Sequence, residues 1–463
     1  MNVPADAMAA DGPVVIVGAG PAGVRAGQTL LRHGVRPVVL DEGARAGGQI
    51  YRRPPAGRDT APRQRYGFEW RRATAIHDAG DALARQADYH AESLVWNAGP
   101  GLLHVLESGQ PRIQRYARLL LATGATDRVL PFPGWTLPGV YTLGGAQVAL
   151  KSQDCVLGPR IVFAGTGPLL YLVAYQYARA GARVAAVVDT SPWTSQASAL
   201  PGLAARPAVL AKGLYYAAWL HARGVPIHRG ARLREAHGRD TLHGLRFSVG
   251  GKTRELACDA LAVGFGLRSE TQLADLLDCA FDFDPLNRAW LPRRDGAGRA
   301  SVPGVYLAGD GAGIAGADHA EWAGERAALA LLEDMGMAVD GARARTLERR
   351  LSRSRRFRRA LEQAFPLPDA ADLLRDGDTT LCRCEEITVA EAAAAIGAHG
   401  IRDINRLKAL SRVGMGMCQG RMCQAGAAEM LGRACGGVEL AGRLRAQAPV
   451  KPLALSELGG DAP

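Results

Sequence analysis

The stretch from Pro13 to Gln49 constrains this chain most. Val14-Val15-Ile16-Val17 is a short β-branched run of the kind that forms a buried parallel strand. It leads straight into Gly18-Ala19-Gly20-Pro21-Ala22-Gly23, a full GxGxxG. Gly18 permits the tight turn from strand to helix, Gly20 lets the backbone approach a pyrophosphate, and Gly23 allows the helix to lie close to the strand. The pyrophosphate then sits on free N–H groups at a positive helix end. Small and apolar residues from Val24 to Leu31 continue the helix, Gly34 stops it, and Pro37-Val38-Val39-Leu40 makes a second strand ending in Asp41 and Glu42. A carboxylate there accepts hydrogen bonds from ribose hydroxyls, and Asp41 lies closest to the strand end. A lone GxGxxG is a weak signal. Strand, fingerprint, helix, strand and acid in this order within about 30 residues point to a βαβ unit that holds an adenine dinucleotide.

The remaining bounds are looser. The length of 463 residues suggests two to four domains, and 48% apolar content is ample for packed cores. No run of 18 apolar residues is present to span a membrane. The first twelve residues lack a basic segment followed by an apolar core, so no secretory signal is expected. Eight cysteines, four of them clustered late, suggest metal binding in a reducing cytoplasm rather than a disulfide scaffold. The net charge of +11 does not imply nucleic-acid binding, because nine arginines fall within residues 343–359 and no aromatic-basic groove accompanies them.

Gly47-Gly48-Gln49-Ile50-Tyr51 follows the acids, and paired glycines in that position resemble the flavoenzyme form of the fold. The chain resembles an FAD-binding, thioredoxin-reductase-like flavoprotein. That likeness makes Gly48 and Gln49 cofactor-site candidates beside Gly18, Gly20, Pro21, Ala22, Gly23, Asp41 and Glu42. Arg52, Arg53, Pro54 and Pro55 form a basic loop suited to a phosphate, a partner protein or plain solvation. Residues 66–116 alternate in short pieces, as antiparallel strands would. Arg118 to Leu121 is a strand running into Ala122-Thr123-Gly124, which returns beside FAD in two-dinucleotide flavoproteins and adds Thr123 and Gly124. Val302 to Leu307 leads to Gly309-Asp310, the second FAD signature of that superfamily, with Asp310 accepting near the ribityl and pyrophosphate. A helix from about Ala317 to Leu332 follows, and its N-terminus suits the charge of a reduced flavin. His319 and Glu321 lie near that end, available for chemistry or for ordinary capping and packing.

Between these halves lies a second fingerprint, Gly165-Thr166-Gly167-Pro168-Leu169-Leu170, after the strand Arg160 to Ala164. Leu170 replaces the third glycine and spaces the helix from the strand, while Gly165 and Gly167 can still form the phosphate turn. The strand from Arg183 ends in Asp189, an acid suited to a free ribose 2′-hydroxyl, so NAD-like or plain adenosine chemistry fits better than NADP. A working site and a degenerate one remain equally open. No CxxC lies beside either fingerprint, which excludes a disulfide reductase. Cys155, Cys258 and Cys279 are expected as small buried residues.

The arginine run carries Leu347, Leu351, Phe357 and Leu361 at helical spacing, and Pro366 and Pro368 end it. Beyond it, Cys382-Arg383-Cys384 and Cys418-Gln419-Gly420-Arg421-Met422-Cys423 give CxC, a gap of 33 residues and CxxxxC. Four thiolates in two close pairs suit structural zinc or an iron–sulfur cluster. Thr388 caps a helix from Val389 to Ile396, ended by Gly397 or Gly400. The glycines around Cys418 offer N–H groups to cluster sulfurs, and the segment resembles the [2Fe–2S] module of bacterioferritin-associated ferredoxin.

The whole order resembles the α-type components of bacterial heteromeric flavin-dependent amine dehydrogenases, the family of opine oxidase, hydroxyproline and proline dehydrogenase, and hydrogen cyanide synthase. The implied fold is α/β, with two dinucleotide-binding (Rossmann-like) domains of the thioredoxin-reductase type, the second inserted in the first, plus a small helical [2Fe–2S] domain. The implied boundaries are 1–125 and 269–340 for the FAD-binding halves, 126–158 for a connection and 159–268 for the second module. Residues 341–375 form the arginine helix and linker, 376–440 the cluster module and 441–463 a tail. The resemblance also implies Cys382, Cys384, Cys418 and Cys423 as cluster ligands, and ATP in the second site of some relatives. It implies a β subunit of the amino-acid-oxidase type, a small ferredoxin-like γ subunit, and a quinone or carrier as acceptor. No residue of this chain is singled out as an acid, base or nucleophile. The cytoplasm is expected, at the inner face of the membrane through partners.

Overall fold

The computed structural model describes residues 12–54, 57 and 61–454. Val14–Val17 lies at the centre of a five-stranded parallel sheet. Val38–Leu40 and Asp88–His90 lie on one side of it, and Arg118–Leu121 and Val305–Leu307 on the other. Helices and loops cover both faces, so Val15, Ile16, Leu119 and Leu120 are completely buried, and the strands read as unbroken apolar runs. A second parallel sheet runs Ile227–Arg229, Arg183–Asp189, Arg160–Thr166, Ala260–Phe265, Val140–Thr142. The chain makes this whole sheet before Val305–Leu307 returns to the first, so the second module is inserted in the first. The outgoing segment Ala125–Asp127 and the returning Leu267–Ser269 pair antiparallel and tie the crossing together.

Close helix packing sets the frame of the first sheet. Pro21–Arg32 lies against Ala317–Asp334 so tightly that a Cβ at Gly324 would stand 2.0 Å from the Ala22 carbonyl oxygen. A Cβ at Gly23 would stand 1.8 Å from the Gly18 oxygen, which is the steric reason for the third glycine of the fingerprint. Both helices begin at the carboxyl end of the sheet, where ligands bind in such folds.

Residues 66–116 depart from the expectation of strands throughout. Trp70–Gln86 is a helix, burying Ala73, Ile76, Ala79 and Leu83 at spacings of three and four, the first two with Tyr51 and Tyr66 and the last two against the first fingerprint helix. Ala73, Ala79 and Gly80 leave only Ile76 and Leu83 as strongly apolar members of the stripe, which weakens the periodic signal. The antiparallel sheet is confined to Ser93–Gly99, Leu102–Glu107 and Gln110–Arg115.

The arginine helix spans Gly341–Ala364 and buries Leu347, Leu351 and Phe357. The C-terminal module packs Val389–His399, Ile404–Ser411 and Gln424–Cys435 around Leu381, Leu407 and Leu431. Thr388 and Glu391 form a reciprocal capping box, and Gly400 ends the helix in the left-handed conformation. Among the described residues no helix is long and apolar enough to cross a membrane.

Gly324→Ala forces the two central helices apart. The expected cost is about 1–3 kcal/mol, read as a lower Tm in a thermal melt.

Candidate functional site

The first phosphate turn is an open cradle. Gly18 has φ +99° and lies against the Ala122 carbonyl, whereas a Cβ at Gly20 would meet only the Cα of Gly48, 3.7 Å away. The early N–H groups of the Pro21–Arg32 helix, including those of Ala22 and Gly23, are the donors a pyrophosphate would use. Asp41 ties the second strand to this turn: Ala19 N–H donates to one carboxylate oxygen and Gly43 N–H to the other, the latter at 2.7 Å. Burial pushes its pKa up, and those two backbone donors oppose the shift. Glu42 points outward, where Lys451 from the tail meets its carboxylate. Gly48 has φ +66° and faces Gly20, and Gln49 is held by Arg52. Arg53 is committed to Asp81 and the His77 carbonyl. Pro54 lies next to it, and Pro55 is outside the described residues.

Thr123, Gly124, Gly309 and Asp310 meet at the same end of the sheet. Gly124 has φ +72° with open space beside it, and a Cβ at Gly311 would lie 2.4 Å from Thr123 Oγ1. Gly309 has φ +70° and sits on Ala22. One oxygen of Asp310 accepts from Ala315 N at 2.9 Å and Gly316 N at 3.3 Å. Its other oxygen accepts no hydrogen bond from the described residues.

In the C-terminal module, Cys382 closes the strand Thr380–Cys382, and Cys418 and Cys423 bracket the loop before the last long helix. The Cys382 and Cys423 thiols touch each other, as do those of Cys384 and Cys418. The Cys423 contact and the N–H groups of Gly414, Glu385 and Cys384 bring the Cys382 thiol down to about 6, while Cys423 is pushed up by the same contact and by burial. A Cβ at Gly416 would be 2.3 Å from that of Cys384, so the loop needs glycine there. Among the described residues no three His, Cys, Asp or Glu groups form a cage for a single metal ion. All four thiols lie close enough to act on one another, and four thiolates are the donor set that a [2Fe–2S] cluster would take.

A short segment, Arg268 to Gln272, lies between the two sites and bonds to both. Glu270 N–H donates to the Gly124 carbonyl at 3.0 Å, and its own carbonyl accepts from Thr123 Oγ1 at 2.6 Å. Ser269 Oγ donates to the Asp310 carbonyl at 2.6 Å. On the other side, the Glu270 carboxylate accepts from Arg268 at 2.7 Å and from Arg421, inside the CxxxxC loop, at 3.1 Å. Gln272 reaches the Gln419 carbonyl at 3.3 Å. Trp135 Nε1 donates to the Thr380 carbonyl at 2.7 Å and seats the cysteine strand on the connection.

The second fingerprint is differently furnished. Gly165 has φ +125° and its Cβ would meet the Gly264 oxygen at 1.9 Å, while Gly167, φ +110°, faces open space. Leu170 is fully buried in the core with Phe163 and Tyr177. Asp189 is also fully buried, accepting from Tyr171 Oη at 2.6 Å, Ser191 N at 2.8 Å and Gln196 Nε2 at 3.0 Å. The linker after the arginine helix lies across this edge: the Pro366 carbonyl accepts from Thr166 Oγ1 at 3.2 Å, and the Phe365 ring stands 6.4 Å from that of Tyr171.

Residues 12–324 match the pyridine nucleotide-disulphide oxidoreductase family, and residues 380–433 match the BFD-like [2Fe-2S] binding domain. The chain belongs to the pyridine nucleotide-disulphide oxidoreductase family. It is 35% identical to the A component of opine oxidase from Agrobacterium tumefaciens (strain Ach5), over 96% of this chain and 91% of that protein. It is 36% identical to the HcnB component of hydrogen cyanide synthase from Pseudomonas aeruginosa, over 97% and 99%. The crystal structure of L-proline dehydrogenase from P. horikoshii shares the fold with a TM-score of 0.73 at 18% identity, over 97% of this chain and 79% of that one. This member of the oxidoreductase family is therefore a flavin enzyme with a [2Fe–2S] domain, homologous to components of multi-subunit enzymes.

Several residues of this oxidoreductase carry more than their sequence context announces. Glu270, Arg268 and Arg421 become a unit only in three dimensions, and Lys451 lies in the tail, far from Asp41 and Glu42 in sequence. Lys151 is buried beside the Gln49-Ile50 turn, donates to the Ile50 carbonyl at 3.1 Å, and is pulled down to about 8 by burial. Glu321 is engaged by Arg25 at 2.7 Å. Cys258 and Cys279 are buried as expected, but Cys155 is exposed on a turn after Ser152. Cys435 stays apart from the four, its Sγ against the Arg402 carbonyl.

His319 is 1% exposed with no partner for Nδ1 among the described residues, and burial plus Arg294, Arg355 and Arg206 lower its pKa to about 3. The unfolded chain takes up a proton near pH 6.5 that the folded imidazole refuses. Stability is thus complete above that value and falls by about 1.4 kcal/mol per pH unit from there down to about pH 3. His319→Gln should flatten the Tm-against-pH curve across this window; an unchanged slope would show that other groups set it.

Proposed function

We propose that this chain is the electron-transferring component of a heteromeric dehydrogenase that oxidises a secondary amine or amino acid of the opine, hydroxyproline, proline or glycine type. The amine site belongs to a partner β subunit of the amino-acid-oxidase type, with a small ferredoxin-like γ subunit beside it, and electrons leave to a quinone or other carrier. The supporting observation is the Glu270 segment, whose backbone is bonded to Thr123 and Gly124 and whose carboxylate is bonded into the Cys418–Cys423 loop.

In this reading residues 1–125 and 269–340 hold FAD, 159–268 brace it, and 376–440 hold the cluster through Cys382, Cys384, Cys418 and Cys423. When bound, FAD takes up an electron pair and the cluster passes electrons singly. The protein positions and insulates these groups. Gly20 and the first helical turn receive the pyrophosphate, Asp41 the ribose and the free oxygen of Asp310 a ribityl hydroxyl. The start of the Ala317–Asp334 helix offers its positive end to the reduced flavin ring. The enclosed Asp189 favours a bracing role for the second module over nicotinamide exchange, because a ribose there would have to displace Tyr171 or Gln196. With no spanning helix among the described residues, the protein would work in the cytoplasm and reach a membrane acceptor through its partners.

The as-isolated protein should show flavin bands, cluster absorption beneath them and a reduced-state EPR signal; stoichiometric zinc in place of iron would overturn the cluster assignment. With the β subunit co-expressed, amine should bleach the flavin in both wild type and Cys382→Ser, while the substitution should abolish onward transfer to a dye or quinone by at least about tenfold. Full onward transfer without the cluster would sink the relay. NADH alone should leave the flavin oxidised in a stopped-flow trace, and rapid bleaching would restore a nicotinamide site.

A further inference from the structure

The segment after the Glu439–Ala441 turn runs from the cluster loop to the ribose acids. Leu444 lies on two loop glycines: a Cβ at Gly420 would come within 2.5 Å of its Cδ2, and one at Gly414 within 3.4 Å. Arg443 pairs with Asp275 and places its guanidinium 4.0 Å from the centre of the Phe281 ring. Ala446 N–H donates to the same Asp275 carboxylate at 2.6 Å. Arg421, between Cys418 and Cys423, donates to the Val450 carbonyl. Val450 N–H donates to the Trp96 carbonyl at 2.9 Å, and its side chain is 2% exposed among Val15, Val38 and Leu40 of the first module. One residue further on, Lys451 reaches the Glu42 carboxylate and lies in the field of Asp41.

These contacts have two ends and little slack between them. At one end, Leu444 and Val450 depend on the conformation of Gly414 to Arg421, which ligation of the flanking thiolates would fix. At the other, the Lys451 ammonium meets the Glu42 carboxylate and favours the charged form of Asp41, where the adenosine half of the cofactor is to be held. Burial brings Lys451 down to about 8, and the Asp41 charge opposes that shift.

We infer that residues 443–451 form a strap that closes the adenosine end of the FAD site, that Lys451 is a further residue of that site, and that cluster loading and FAD retention are coupled through the strap. This rests on the reading that Asp41 and Glu42 hold the FAD ribose. Coupling of this kind is reciprocal: a loop ordered by the cluster steadies the strap, and a strap seated on bound FAD steadies the loop.

The test is the rate of FAD release from the purified holoprotein, followed as flavin fluorescence appears on dilution, with iron content measured alongside. Lys451→Ala and a chain ending at Leu444 should each release FAD at least about fivefold faster than wild type, in the range usual for coupled sites. Stripping the cluster with a chelator under oxidising conditions should speed release from the full chain by a similar factor but add little in the shortened one, a double-mutant-cycle signature. Unchanged release from Lys451→Ala and the shortened chain would overturn the strap. Equal acceleration by cluster removal in both chains would overturn the coupling. A wild-type protein that purifies without FAD would instead defeat the reading on which the inference rests.

Discussion

One carboxylate, that of Glu270, joins the two halves of this molecule that carry cofactors. Its neighbours Arg268 and Arg421 are mostly buried, and a guanidinium removed from water is costly unless an anion meets it. Burial lowers the pKa of Arg268, and Glu270 is the first of the charges acting against that shift. Removing the acid would leave two like charges facing each other at the module boundary. The contact therefore specifies one docking pose more than it adds net stability, and the Glu270 backbone turns that pose into a fixed relation between the cysteine loop and the Thr123-Gly124 turn.

The parts that were legible in the sequence are those whose physics is local. Gly18 and Gly23 announce a phosphate turn because each removes a specific clash, shown at the Ala122 and Gly18 carbonyls, while Gly20 leaves open the side a pyrophosphate would approach. Thr388 announces a helix start for the same local reason, and the structure adds Glu391 as its reciprocal partner. The helix Trp70–Gln86 was hidden because Ala73, Ala79 and Gly80 leave only Ile76 and Leu83 as strongly apolar members of its buried stripe, too few to stand out from the polar neighbours. Cys155 could not be placed by residue type, since a lone cysteine is often buried and here occupies an exposed turn. Glu270 and Lys451 were illegible for a deeper reason: each acts across 151 and 409 positions of sequence, and no local pattern encodes such a partner.

The second module keeps a nucleotide-binding frame whose terminal acid is already satisfied from within. Its parallel sheet, phosphate turn and terminal acid are all present, yet the acid is satisfied by Tyr171, Ser191 and Gln196, and the linker carbonyl of Pro366 lies over Thr166. A buried carboxylate needs such donors, and once it has them a ribose hydroxyl offers only an exchange. The gain lies in rigidity, because the same linker carries the arginine helix toward the cluster module.

The two cofactor sites are therefore linked twice, at the centre by Glu270 and at the rim by the segment that ends at Lys451. Electron transfer between fixed centres benefits from a constant separation, and a single hydrogen-bonded hinge would let the small C-terminal module rock about it. A second attachment far from the first converts that hinge into a clamp. Arg421 serves both, donating to Glu270 on one side and to the Val450 carbonyl on the other, so the loop between Cys418 and Cys423 is held from two directions by one guanidinium. Only a planar group with several fixed donors can do this, and a lysine at the same position could satisfy one partner but not orient both.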